Sequence, residues 1–278
     1  MSTCVPRSAL PEHGAEFGDL KRIARAAEAA ARCAGACILE IAARGASEVR
    51  SKSDHSPVTA ADLAAHELLQ RALAEILPGV ALLSEEAPEE FSATARQPYW
   101  VIDPLDGTQE FIRGGSEYCV NVALCVDARP VLGVVHVPKA GASFAGVVGD
   151  VAWRVAASGV EDVLLGPVRA RAGDELRVFV SRWHRSSKVE ALRAMLPAHT
   201  TEVRGAALKF TALAAGEGHV ALGGGGTKIW DTAAGEAVLL ASGGILLGPG
   251  GVPLRAEAPE WKNPCWIASA NPALFPVS

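Results

Sequence analysis

Aromatic residues are scarce, with 7 Phe, 6 Trp and 2 Tyr among 278 residues, and this leaves no stacking platform for single-stranded nucleic acid. The core must be built mainly from Ala, Val and Leu, which suits closely packed helices. Excess positive charge is also missing. Twenty-six Lys plus Arg face 31 Asp plus Glu, a net charge of -5, and a broad phosphate-backbone face is excluded, so no nucleic-acid partner is expected. No long apolar run survives inspection, because the richest stretch, 20–43, is broken by Lys21, Arg22, Arg25, Glu28, Arg32 and Glu40. No membrane partner is expected. The first twenty residues show no apolar run behind a basic start, so the expected location is cytoplasmic. The six cysteines, Cys4, Cys33, Cys37, Cys119, Cys125 and Cys265, contain no C-x-x-C pair and no histidines at zinc-ligand spacing. Cys33 and Cys37, four apart on a helix, and Cys119 and Cys125, on one parity of a strand, read as small buried hydrophobes.

Apolar residues at helical spacing from Phe17 to Ala43 predict a long amphipathic helix, and a second pattern from Val58 to Leu77 stops at Pro78-Gly79. From Pro98 the signals become extended, in YWVID, YCVNVALCV and VLGVVHV, and predict a mostly antiparallel sheet. Past Leu164, strand-like LRVFVS alternates with helical stretches near Ser187, Ala206 and Asp231 and ends on CWIASA, an α/β pattern. The expected organisation is a tail over 1–15 and a single catalytic domain over 16–278. That domain joins an α+β half (16–160) to an α/β half (161–278).

The string W-V-I-D-P-L-D-G-T carries the most chemistry. A buried strand is expected to end at Asp103, which Pro104 holds extended. The turn through Leu105, Asp106 and Gly107 then adds a second carboxylate and a carbonyl that can ligate a hard cation. Thr108 would open a short helix, presenting the amides of Gly107 and Thr108 to a phosphate oxygen. Taken alone the string serves equally well as an ordinary turn. So do its companions: Glu85 reads as a solvated turn acid, Asp231 as an N-cap, and Thr59 to Asp62 as a capping box. Jointly, four regions each place an acid beside an apolar run at an element boundary, which points to one acidic cleft. Oxygen donors without histidine or thiolate select magnesium or manganese.

These residues resemble the inositol monophosphatase superfamily, and within it the 3'(2'),5'-bisphosphate nucleotidases of the CysQ type. The resemblance rests on K-S-D-H-S-P-V-T-A-A-D-L-A-A-H (52–66), L-S-E-E (83–86), D-P-L-D-G-T (103–108), S-R-W-H (181–184), L-K-F (208–210) and I-W-D-T-A-A-G (229–235). It implies a layered αβαβα sandwich, combining α+β and α/β halves. It further implies Mg2+ as cofactor, held by Glu85, Asp103, Asp106, Asp231 and the Leu105 carbonyl. Asp62 and Thr108 are implied to orient or deprotonate the attacking water, with Glu85 beside them as a catalytic acid residue. Gly107, Thr108, Lys209 and Asp231 are the implied substrate contacts, and Lys52 is placed near an additional ion. The implied activity is hydrolysis of a small-molecule phosphate ester, adenosine 3',5'-bisphosphate before an inositol or sugar monophosphate. Lithium sensitivity is expected, and a homodimer is compatible with the resemblance.

Three departures bear on the substrate. Ala206-Ala207 stand where the CysQ type has two serines, Gln109 where it has lysine, and the loop ahead of I-W-D is G-G-G-G-T-K, with Lys228 its one cation. Each charge-assisted bond lost is worth ~1.5 to 3 kcal/mol. Gly223 to Lys228 lacks the spacing of a phosphate-binding P-loop. His66 and His184 read as ordinary histidines rather than general acids. A noncatalytic sensor of cations or phospho-ligands is the rival from another class, and the pairing of Thr108 with Asp62 argues against it, since a sensor needs no water-activating pair.

Overall fold

The computed structural model describes residues 18–45, 49–51, 57–94, 96–171, 173–182, 187–257 and 261–270. Lys52, His184, Cys4 and the 1–15 tail lie outside them. The chain opens with α1 (Leu20–Ala43), whose first turn is capped by the Asp19 carboxylate accepting from the Arg22 amide at 3.1 Å. Strands β1 (Val49–Ser51) and β2 (Pro57–Thr59) form a small antiparallel pair leading into α2 (Ala60–Ile76). Alanines at helical spacing let α1 and α2 pack closely, as the periodicity predicts.

The first large sheet has seven strands in chain order: β3 (Ala81–Ser84), β4 (Tyr99–Asp106), β5 (Cys119–Val126), β6 (Arg129–Val137), β7 (Ala142–Val147), β8 (Ala152–Val155) and β9 (Glu161–Val163). Only its β3–β4 pair is parallel. The sheet runs past residue 160, because β9 pairs with β8. A five-strand mixed sheet follows, ordered β11 (His199–Val203), β10 (Leu176–Val180), β12 (Val220–Gly224), β14 (Cys265–Ser269) and β13 (Ile245–Leu247). Among the described residues the remaining α-helices are α3 (Thr108–Ile112), α4 (Ser187–Ala194), α5 (Leu208–Ala214) and α6 (Ala233–Ala241).

Alternation of side chains sorts these elements into layers. Trp100, Ile102, Val120, Val122 and Leu124 face α1 and α2, whereas Tyr99, Val101, Cys119, Ala123 and Cys125 face α5 and α6. The second sheet closes over those two helices and carries α4, through Val189, on its far side. The result is the αβαβα sandwich. One apolar cluster contains residues of both halves, so the layer between the sheets belongs to neither half alone. Among the described residues no helix is long and apolar enough to cross a membrane. Cys119 and Cys125 are buried as expected, but Cys33 is exposed and Cys37 half-buried, a correction that follows for Cys33 from its place along the open groove between α1 and α2.

Helix α6 reaches the first sheet through a pair of facing glycines, Gly133 on β6 and Gly146 on β7. A Cβ on Gly133 would stand 2.3 Å from the Ala234 carbonyl oxygen, with the helix backbone unable to yield. Gly133→Ala is therefore expected to destabilise the protein by about 1 to 3 kcal/mol, read as a lower urea midpoint at unchanged m-value. An unchanged midpoint would show that α6 can shift outward.

Candidate active site

Strand β4 delivers two carboxylates to one face by a device that plain alternation would forbid. In a regular strand, residues three apart point to opposite faces. Here Asp103 pairs with Asn121 and Asp106 with Cys119, so three steps along β4 match two along β5. The extra residue is a bulge at Pro104-Leu105, and it turns Asp106 onto the Asp103 face. The strand thus continues to Asp106 instead of ending at Asp103, because pairing resumes after the bulge. Asp103 is 1 % exposed, and its Oδ1 accepts the Leu105 amide at 3.0 Å. Gly107 follows at φ +96, where a Cβ would meet the Glu117 carbonyl oxygen at 2.9 Å, so only glycine serves.

The other acids arrive on separate elements. Glu85 leaves the end of β3, its amide bound to the Ile102 carbonyl of β4 at 3.2 Å. Its neighbour Ser84 bonds the half-buried His66 ring at 2.8 Å, so His66 braces this turn from α2. Asp231 lies in a single 3-10 turn (Ile229–Asp231) ahead of α6, and its Oδ2 accepts the Lys228 amide at 2.8 Å. Thr232, rather than Asp231, stands at the N-cap position of α6, without a side-chain cap bond. Glu85, Asp103 and Asp231 each offer a carboxylate oxygen within 4.8 Å of the other two. Asp106 stands beside them with its Oδ2 already occupied, accepting the Ala207 amide at 2.7 Å and the Asn121 side-chain amide at 3.0 Å.

Crowding these charges away from water has an electrostatic cost. Burial, then the charges of Glu85, Asp106 and Asp231, push the Asp103 carboxyl well above its ordinary range. Asp231 is raised in the same way, by burial and then by Asp106 and Glu85. Asp106 is pushed up to about 6 by burial, although the Lys209 ammonium pulls in the opposite direction. Lys209, expected among the substrate contacts, is itself buried; its Nζ donates to the Ala206 carbonyl at 2.7 Å. It acts from beneath the acids as a counter-charge. Lys209 sets one positive charge against the four carboxylates. An all-oxygen donor set that repels itself this strongly fits a hard divalent cation, with the Leu105 carbonyl as a further oxygen at the bulge.

A second pair adjoins the cluster. The Thr108 hydroxyl lies 3.1 Å from Asp62 Oδ1 and 3.1 Å from the Leu105 carbonyl. Asp62 is 1 % exposed, and its other oxygen accepts both the amide and the hydroxyl of Thr59. The capping box read from Thr59 to Asp62 is present, and the same carboxylate also reaches Thr108. Burial raises the Asp62 carboxyl, with the Thr59 and Thr108 bonds opposing the rise. Asn121 was not among the expected site residues. The signal available was a single amide in the otherwise apolar run YCVNVALCV.

A family model described as the inositol monophosphatase family matches residues 19–269. The chain is 39% identical over 197 residues to the 3'(2'),5'-bisphosphate nucleotidase CysQ of Escherichia coli (strain K12), covering 70% of this chain and 78% of that protein. It is 31% identical over 216 residues to the CysQ of Buchnera aphidicola subsp. Acyrthosiphon pisum (strain APS), covering 77% and 80%. Among solved structures, CysQ from Bacteroides thetaiotaomicron, described as a bacterial member of the inositol monophosphatase family, matches with a TM-score of 0.70 at 28% identity, over 89% of this chain and 97% of its own.

Proposed function

The chain belongs to the inositol monophosphatase family and is a phosphatase of the bisphosphate-nucleotidase kind, and from that premise we propose that it hydrolyses adenosine 3',5'-bisphosphate to AMP and phosphate with magnesium in the acidic cleft. The observation that carries this reading is the convergence of Glu85, Asp103 and Asp231 within 4.8 Å beside the Thr108–Asp62 pair. Glu85, Asp103, Asp106, Asp231 and the Leu105 carbonyl would hold the cation. Bound magnesium supplies positive charge that stabilises the attacking and departing oxygens of an in-line displacement.

The chain's own groups do the rest. Thr108 has one hydroxyl hydrogen, and when it donates to Asp62 its lone pairs accept a hydrogen bond from the attacking water. Asp62 then takes the proton through Thr108, a transfer helped by the upward shift of its carboxyl. Glu85 adds a further acid at the edge of the same cleft. The backbone of Gly107 and Thr108 would face the phosphate, and Lys209 offsets the charge of Asp106 and Asp231 from below. Both halves contribute ligands, so residues 16–278 would act as one catalytic domain. Magnesium-supported release of phosphate from adenosine 3',5'-bisphosphate and from inositol 1-phosphate tests the substrate. A kcat/KM ratio above about 10 in favour of the bisphosphate, ~1.4 kcal/mol, is expected. The opposite ratio would assign a monophosphate substrate, and no turnover on either would favour a sensor.

A further inference from the structure

Asn121 occupies a position that the proposed chemistry does not use directly but on which two of its acids depend. It lies on β5 directly across from Asp103 and is 1 % exposed. Its Nδ2 donates to Asp106 Oδ2 at 3.0 Å and reaches the Trp230 carbonyl at 3.4 Å, while its Oδ1 accepts the Cys119 thiol at 3.4 Å. The amide cannot be reversed, because its oxygen would then confront a carboxylate and a carbonyl, both acceptors. Trp230 immediately precedes Asp231. One side chain therefore ties the bulged end of β4 to the turn that carries the acid of the other half.

We propose that Asn121 is a positioning residue for the cation site: with the Ala207 amide it saturates Asp106 Oδ2, leaves Oδ1 to the cation, and holds the Asp231 turn at ligand distance. The inference rests on the metal reading given above. The backbone around the second donor supports it. Ala206 adopts φ +47, a left-handed conformation costing about 1 kcal/mol for a residue other than glycine, and the next amide, Ala207, lies 2.7 Å from Asp106. Strain is tolerated at the position that aims this donor. The backbone amide supplies the bond, so the missing serine side chains at 206 and 207 are not needed for it.

Outer partners of metal ligands typically govern affinity by about 10- to 100-fold. Asn121→Ser is too short to reach Asp106, and Asn121→Leu keeps the volume without the donors. Cys125→Ala removes a buried side chain from the same face of β5, well away from the acids, and serves as the packing control. Calorimetric titration of each protein with Mn2+, after removal of metal by EDTA, gives a dissociation constant independent of turnover. Both Asn121 variants are expected to bind Mn2+ at least about tenfold more weakly and to need correspondingly more Mg2+ for half activation. Their KM for the phosphate ester at saturating metal should stay within about twofold of wild type, and Cys125→Ala should keep the wild-type dissociation constant. Should Asn121→Leu fail to fold, Asn121→Ser gives the same reading. Wild-type affinity in the Asn121 variants, or equal weakening in Cys125→Ala, would overturn the proposal. Absence of Mn2+ binding by the wild type would instead overturn the metal reading, and the role of Asn121 with it.

Discussion

Asp106→Asn is expected to lower kcat by about a thousandfold or more while leaving the metal-free protein at least as stable as wild type. The two effects share one cause. Asp106 is part of a desolvated cluster in which burial and Glu85 hold its carboxyl up at about 6 against the pull of Lys209. Asparagine preserves the shape and still offers an oxygen to the Ala207 and Asn121 donors, so the bulge need not rearrange. It removes one negative charge. In the metal-free protein, loss of that charge relieves repulsion with Asp103 and Asp231. Thermal unfolding in EDTA should show an equal or higher Tm, whereas the rise in Tm on adding Mg2+ should shrink sharply. A variant with near-normal turnover would remove Asp106 from the ligand set. A clearly lower Tm in EDTA would show that its hydrogen bonds stabilise the fold more than its charge destabilises it.

The elements with strong local periodicity were legible from residue order. Alanines at helical spacing mark α1, and Pro78-Gly79 marks the end of α2. The acids at 85, 103, 106 and 231 were recognisable by their places at element ends, but their convergence depends on two facts that only tertiary pairing supplies. One is the bulge, because Asp103 and Asp106 would otherwise face opposite ways. The other is the sandwich itself, which brings the turn before α6 to the end of β4. Asp62 shows how a local reading can be right and incomplete, since the capping box is real and its spare oxygen is the one that meets Thr108. Asn121 was overlooked because strand patterning weighs an isolated amide as noise, and the two acceptors of its Nδ2 lie 15 and 109 residues away. Lys209, implied by the resemblance as a substrate contact, has its stem buried, and its charge answers Asp106 and Asp231 from within, a placement that only tertiary packing determines.

Thr108→Val should lower kcat by about 10²- to 10⁴-fold with little change in Mn2+ affinity, because valine fills the threonine volume and removes only the hydroxyl that bonds Asp62 and that we propose links the attacking water to it. Thr108→Ser retains that hydroxyl and should stay within about tenfold of wild type. Asp62→Asn should cause a similar fall in kcat and an additional loss of about 1 kcal/mol in stability, since Asp62 also closes the cap at the start of α2. The double variant discriminates between mechanisms. If Thr108 and Asp62 form one proton path, removing either interrupts it, and Asp62→Asn/Thr108→Val should be about as slow as the slower single variant. If the two act separately, the losses multiply and the double variant falls by about the product of the single effects. Multiplicative loss, measured as kcat at saturating Mg2+ and substrate, would break the relay and leave Thr108 as a contact to the phosphate alone.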